Sequence, residues 1–295
     1  MIPTPPRQNR PRHRRVEEGE RPPMALTERD GEIIRLVHDC RLLTGEHIRT
    51  LFFASRSTAQ YRLQRLFQHE FLNRHFLTRV TTAPAASPAL YSLGRRGVQV
   101  LVDRYGYERD AIRLPRQSSL GWHTVEHTLA INTVRLAIMR AASLHGWTLL
   151  EWRDEGQFRA APDYVGLMDG RGRTVEKPVL PDGYGAIETP RGVMRFFLEV
   201  DRGTEQLSKV APQIAVYQAY TTSGLYQERF QARSLRILIV TTGEKRLLSL
   251  KRVVEAEGGD RKYWFTTIEA ISAETVLTAP IWEAVSGRQQ RPLVE

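Results

Sequence analysis

Cysteine is almost missing from this chain of 295 residues: Cys40 stands alone. That excludes an internal disulfide and any zinc site built from several thiolates. No apolar run reaches the length needed to span a bilayer. The basic N-terminus lacks an apolar core segment, so it does not read as a secretory signal. An intracellular, cytoplasmic protein is expected, with no membrane partner. Acidic residues are in short supply too, 33 Asp and Glu against 43 Lys and Arg, for a net charge of +10. Such an excess favours a polyanionic partner, nucleic acid or an anionic membrane surface. Hydrophobic content of 41% and charged content of 26% are ordinary for a soluble globular protein. The length leaves room for two domains, each with its own core.

Residues 1–23 hold Arg7, Arg10, Arg12, Arg14, Arg15 and Arg21, several prolines and little that is apolar. This composition predicts a disordered basic arm, either solvated or touching phosphates and a minor groove. Residues 24–106 predict a folded domain. Thr27 and Thr44 are N-cap candidates for two helices. A third helix follows Ser55, with Tyr61, Leu63, Leu66 and Phe67 facing inward and Arg56, Gln60, Arg62, Gln64 and Arg65 outward. Cys40 closes an apolar helical pattern and reads as a core residue. Two strand candidates, LNRHFLTRV and ALYSL, flank a loop, and GRRGVQVLVDRYG reads as a further helix.

Three helices followed by a two-stranded hairpin resemble a winged helix-turn-helix. In that class the third helix enters the major groove by its N-terminal end. The resemblance assigns Arg56, Ser57, Thr58 and Gln60 to base edges and Arg62 and Arg65 to phosphates. Arg74, His75 and Arg79 would serve the wing. A plain solvated face, or a protein-binding winged helix, is the alternative.

Residues 107–120 are expected as a linker, 121–285 as a second domain and 286–295 as a frayed tail. The second domain opens with a strong helix. His123 and His127 share a face of it but lack the further ligands of a zinc site, and read as core or interdomain residues. Thr204 is expected to cap a helix that Pro212 then kinks or breaks. YWFTTIEAIS is expected as the last strand. The organising stretch is VLPDGYGAIETPRGVMRFFLEVD. The break Thr189-Pro190-Arg191-Gly192 predicts a hairpin. Alternation in MRFFLEVD puts Phe197, Glu199 and Asp201 on one face and Phe196, Leu198 and Val200 on the other. With Asp182 on the neighbouring segment, three carboxylates would converge, the oxygen donors that a hard cation such as Mg2+ takes.

LPDG and FLEVD resemble the signature of the PD-(D/E)XK nuclease superfamily, an Asp on one strand and (Asp/Glu)-x-Lys on the next. Asp201 stands where the lysine belongs, and Lys209 is the candidate to replace it from the following helix. Gln213 and Tyr217 resemble the Q-x3-Y element of RecB-like nucleases. The resemblance implies an αβββαβ, restriction-endonuclease-like domain in an α+β or α/β chain. It implies Asp182, Glu199, Lys209, Gln213 and Tyr217 as the catalytic set. Mg2+, with Mn2+ as substitute, would be held by Asp182, Glu199, Asp201 and, from the first helix, Glu126.

The pairing of the two domains, including FLEVDRGTE, resembles the replication-relaxation family. That resemblance implies a bacterial plasmid or mobile-element protein tied to replication and DNA relaxation. The partner would be double-stranded DNA, with a second copy or replication and mobilisation proteins beside it. Two functions remain open: a metal-dependent DNA endonuclease, or a non-catalytic regulator or assembly protein with an inactive nuclease fold.

Overall fold

A computed structural model describes residues 23–76, 88–112 and 121–294, together with 15, 17, 19, 21 and 114. The chain forms two compact units, Met1–Leu129 and Ala130–Glu295. No helix among the described residues is long and apolar enough to cross a membrane.

The first unit runs α1 (Glu28–Cys40), β1 (Leu43–Thr44), α2 (Gly45–Phe52), α3 (Arg56–Gln68), β2 (Leu72–His75), β3 (Leu90–Leu93) and α4 (Arg95–Tyr105). Capping boxes start α1 at Thr27 and α2 at Thr44, and the Ser55 hydroxyl caps α3. The three strands form an antiparallel sheet in the order β1-β3-β2. Three helices precede the β2–β3 pair, and α4 follows it. Cys40 is buried, as expected.

Helix α3 buries Ala59, Leu63, Leu66 and Phe67, a stripe at helical spacing. Tyr61, expected inward, points away from that stripe and is 64% exposed. Two described arginines of the N-terminal segment, Arg15 and Arg21, have partners in the folded unit. Arg15 donates to the Phe67 and Leu72 carbonyls and to Asn73 Oδ1, with its guanidinium 4.9 Å from the Phe67 ring centre. Arg21 pairs with Glu70 at 3.5 Å. Arg7, Arg10, Arg12, Arg14 and Arg79 lie outside the described residues, as does half of the expected linker.

The division between the units falls inside α5 (Trp122–Leu144). There follow β4 (Thr148–Asp154), α6 (Glu155–Ala160), β5 (Tyr164–Met168), β6 (Thr174–Pro178), β7 (Gly183–Thr189) and β8 (Gly192–Asp201). Then come α7 (Val210–Thr222), α8 (Leu225–Phe230), β9 (Arg236–Thr241), α9 (Glu244–Ala256), β10 (Tyr263–Thr267), β11 (Trp282–Ala284) and β12 (Gln290–Arg291). The described residues form one seven-stranded sheet, β12-β11-β10-β9-β8-β7-β4, and a separate β5-β6 hairpin. Strands β8, β9 and β10 run parallel, and the other pairings are antiparallel. Leaving aside α6, α8 and the inserted hairpin, the order α5-β4-β7-β8-α7-β9 is αβββαβ.

The β7–β8 hairpin turns on Pro190-Arg191, with Thr189 across from Gly192. Gly192 has φ +107°, a conformation that side chains oppose. Gly185 faces Phe196 so closely that a Cβ there would lie 2.2 Å from the ring. Phe196, Leu198 and Val200 pack with Val134 and Ile138 of α5 on one face of the sheet. Phe197, Ile237 and Ile239 pack with α7, α8 and α9 on the other. Buried on both sides, β9 shows the continuous apolar run that such strands carry.

Three expectations are corrected here. Thr204 caps no helix: α7 begins at Val210 after a 3-10 turn at Leu207–Lys209. Pro212 therefore falls in the first helical turn, where its missing N–H breaks no helix bond and requires no kink. The last residues are not a frayed tail. Strands β11 and β12 follow β10, Leu293 is fully buried, and Val294 N–H donates to the Leu277 carbonyl at 2.8 Å.

Candidate functional site

The pairing of β7 with β8 runs out at Gly183 opposite Leu198, so the next residue, Asp182, comes opposite Glu199. The Val200 N–H that would have bonded further along β7 meets the Asp182 side chain instead, at 2.8 Å. Strand alternation turns Glu199 towards α7, where Gln213 and Tyr217 stand one helical turn apart. Gln213 Nε2 donates to Glu199 Oε2 at 2.7 Å, and the Tyr217 hydroxyl donates to Oε1. Gln213 Nε2 also lies 3.2 Å from the Tyr217 oxygen. Four of the expected site residues, Asp182, Glu199, Gln213 and Tyr217, are thus brought together.

Glu199 keeps a solvent-exposed edge as a residue, but its carboxylate is closely surrounded by protein. That enclosure, and then the charge of Asp182, push its carboxyl well above the usual range, against the pull of the Tyr217 and Gln213 hydrogen bonds. Burial, then the Glu199 charge, likewise push the Tyr217 phenol up. Like charges meeting in a poorly hydrated place are the condition that a cation relieves.

Asp201 lies on the same face but is spoken for. Arg246 of α9 forks onto it, Nε to Oδ2 and Nη2 to Oδ1, each at 2.8 Å, and Thr241 Oγ1 donates at 2.9 Å. Arg246 Nη2 also donates to the Glu205 carbonyl at 2.8 Å. Asp201 is therefore an ion-pair partner here rather than a metal ligand. Lys209 does not replace the absent lysine: it is exposed and 3.9 Å from Glu205. Glu126 lies in the first unit. Among the described residues no group of three or more acidic, histidine or cysteine side chains is set to hold a metal ion. Two carboxylates remain. That number fits Mg2+, which commonly takes one or two and fills its octahedron with water and phosphate oxygens. Asp182 and Glu199 would hold it, and it would supply charge neutralisation for a bound phosphate.

Arg246 was not foreseen from the sequence. The signal was available: GEKR follows the buried β9 run, and a helix starting there returns to the same end of the parallel strands as Asp201.

On the first unit, Arg56, Ser57, Thr58 and Gln60 are exposed at the N-terminal half of α3. Arg62 and Arg65, expected on phosphates, turn inward. Arg62 Nε bonds Asp30 Oδ1 at 2.8 Å, and its Nη2 bonds the Ala25 carbonyl at 2.8 Å. Asp30 is fully buried. Burial raises its carboxyl, but the Arg62 and Thr27 hydrogen bonds outweigh this and hold it below the usual range. Arg65 bonds the Pro23 carbonyl. Arg74 bonds Gln64 and lies 4.3 Å from the Phe67 ring centre, and His75 meets Ser92 Oγ at 2.8 Å. These side chains brace the fold.

The profile of a protein family described as replication-relaxation matches residues 34–232. No curated protein matches the chain. Among solved structures, the restriction endonuclease FokI is similar at 11% identity and a TM-score of 0.30, over 82% of this chain and 42% of FokI. The chain thus spans less than half the length of FokI.

Proposed function

As the chain belongs to the replication-relaxation family, we propose that it is a DNA-binding protein that serves replication and DNA relaxation of a bacterial plasmid or mobile element. The observation that carries this reading is the exposed N-terminal half of α3. Arg56, Ser57, Thr58 and Gln60 stand in solvent there, on a chain of net charge +10. Arginine and glutamine have the donor geometry to read base edges, and the excess charge draws the duplex in.

The second unit holds DNA without cutting it. Asp182 and Glu199 would seat Mg2+, yet the lysine that offsets developing charge on a scissile phosphate is replaced by Asp201. Arg246 of the following helix α9 is neutralised by that same Asp201. A charge already paired gives little to a transition state.

The test combines a mobility shift with incubation of supercoiled plasmid in Mg2+ or Mn2+. Retained binding without nicking is expected. Metal-dependent nicking, abolished by both Asp182→Ala and Glu199→Ala, would overturn the non-cutting part and establish an endonuclease. Absence of binding to any DNA would overturn the whole reading.

A further inference from the structure

A cavity of about 460 Å3 opens between α2, α3 and the β2–β3 hairpin of the first unit. That lies within the size range of small-ligand pockets. Its walls differ sharply in chemistry. Phe76 and Tyr91 supply aromatic surface, Gln60 and Gln64 supply side-chain amides, and Arg49 and Arg56 supply charge. Arg74, also in the wall, is fixed in place by Gln64 and by the Phe67 and Phe76 rings, 4.3 and 5.5 Å from its guanidinium carbon. The wall thus carries three arginines and one carboxylate, Glu46, which Arg49 clasps through Nε at 2.9 and 3.0 Å.

Aromatic surface, amides and an arginine rim together suit a flat heterocycle that carries an anion. We infer that this cavity takes one unpaired nucleotide, a purine stacked on Phe76 with its edge on the Gln60 amide and its phosphate on Arg49 and Arg56. A glutamine amide offers the donor and acceptor pair that matches adenine, and stacking on an aromatic ring is open to any base. Glu46 then acts as an internal competitor, occupying Arg49 until a phosphate displaces it. The inference deepens the DNA-binding reading and rests on it. A fully paired duplex cannot fill the cavity, whereas a bulged or flipped nucleotide, or a free mononucleotide, can.

The test is fluorescence anisotropy with the full chain on two labelled duplexes, identical except for a single bulged adenine. Binding of the bulged duplex is expected to be about tenfold tighter, as one stacked and hydrogen-bonded base gives. Arg49→Ala should erase most of that preference while leaving affinity for the paired duplex nearly unchanged. Glu46→Gln should enlarge the preference, a gain that no loss of folding can imitate. Equal affinity for the two duplexes, or a preference indifferent to both substitutions, would overturn the inference. If neither duplex binds, the DNA reading fails and titration with deoxyadenosine monophosphate decides the cavity. Binding weakened by Arg49→Ala and strengthened by Glu46→Gln would assign it to a free nucleotide, and no binding would overturn it.

Discussion

Arg246 and Asp201 meet as a fork on a carboxylate, with two 2.8 Å contacts to separate oxygens. Both side chains are largely buried, 19% and 14% exposed. In this geometry the pair is worth more than a surface ion pair, and loss of one partner strands the other. Arg246→Ala should destabilise the second unit by about 2 kcal/mol, discounted from the ~3–5 kcal/mol typical of fully buried pairs. The double variant Arg246→Ala/Asp201→Ala should recover part of that loss. Thermal melts arranged as a double-mutant cycle measure the coupling. Strict additivity would show that the fork contributes nothing.

Arg62 and Asp30 set the acid limit of the first unit. The folded-state pKa of Asp30 is lowered below its unfolded value of about 3.9. Its contribution is therefore complete above that unfolded value and is lost as pH falls through the folded one. Melting temperature should drop on acidification below about pH 4, and Asp30→Asn should flatten that part of the profile. Arg62→Ala should cost about 3 kcal/mol at neutral pH, since it leaves a buried carboxylate unpaired.

The two arginine classes on α3 should separate in a binding experiment. Arg56→Ala should weaken DNA binding by about 1–3 kcal/mol and relax sequence preference, with the melting temperature kept. Arg62→Ala should do the reverse, and this is read from affinities at several salt concentrations. A changed salt-dependence slope for Arg62→Ala would return that residue to the interface.

Removal of metal offers a further check that needs no cleavage. If Asp182 and Glu199 seat Mg2+, saturating metal should raise the melting temperature of the second unit. At a hundredfold excess over Kd the gain is about 2.7 kcal/mol. EDTA should abolish it, and so should Asp182→Asn. An identical melt with and without Mg2+ in the native protein would remove the metal from the site.

Leu293 tests the corrected C-terminus. It is fully buried beside Trp282 and Val276, so Leu293→Ala should cost about 2–5 kcal/mol, as cavities in packed cores do. A frayed tail would show no change in a thermal melt.

Residues whose role depends on local periodicity could be read from the sequence. Alternation fixed the face of Glu199 and Asp201, turn chemistry fixed the Pro190-Arg191 hairpin, and the Gln213–Tyr217 spacing put both groups on one face of α7. Residues whose role depends on long side chains meeting distant segments could not. Arg62 and Arg65 look like surface arginines until α1 and the segment before it pack alongside α3 and offer them Asp30 and two carbonyls. Asp201 looks like a ligand until α9 delivers Arg246. Tyr61 was misplaced because aromatic character outweighed helical phase: two residues from Ala59 is more than half a turn away from the buried stripe.

The parallel pairing of β8 with β9 also orders events in time. These two strands cannot zip locally, because residues 202–235, with α7 and α8, must cross over before Asp201 can lie beside Thr241. The β7–β8 hairpin faces no such delay, so Asp182 and Glu199 come face to face while still hydrated. Their dehydration is deferred until α7 docks with Gln213 and Tyr217 in position. The nascent chain thus carries this pair of like charges through the early stages of folding in water, and encloses it only when the donors that hold it arrive.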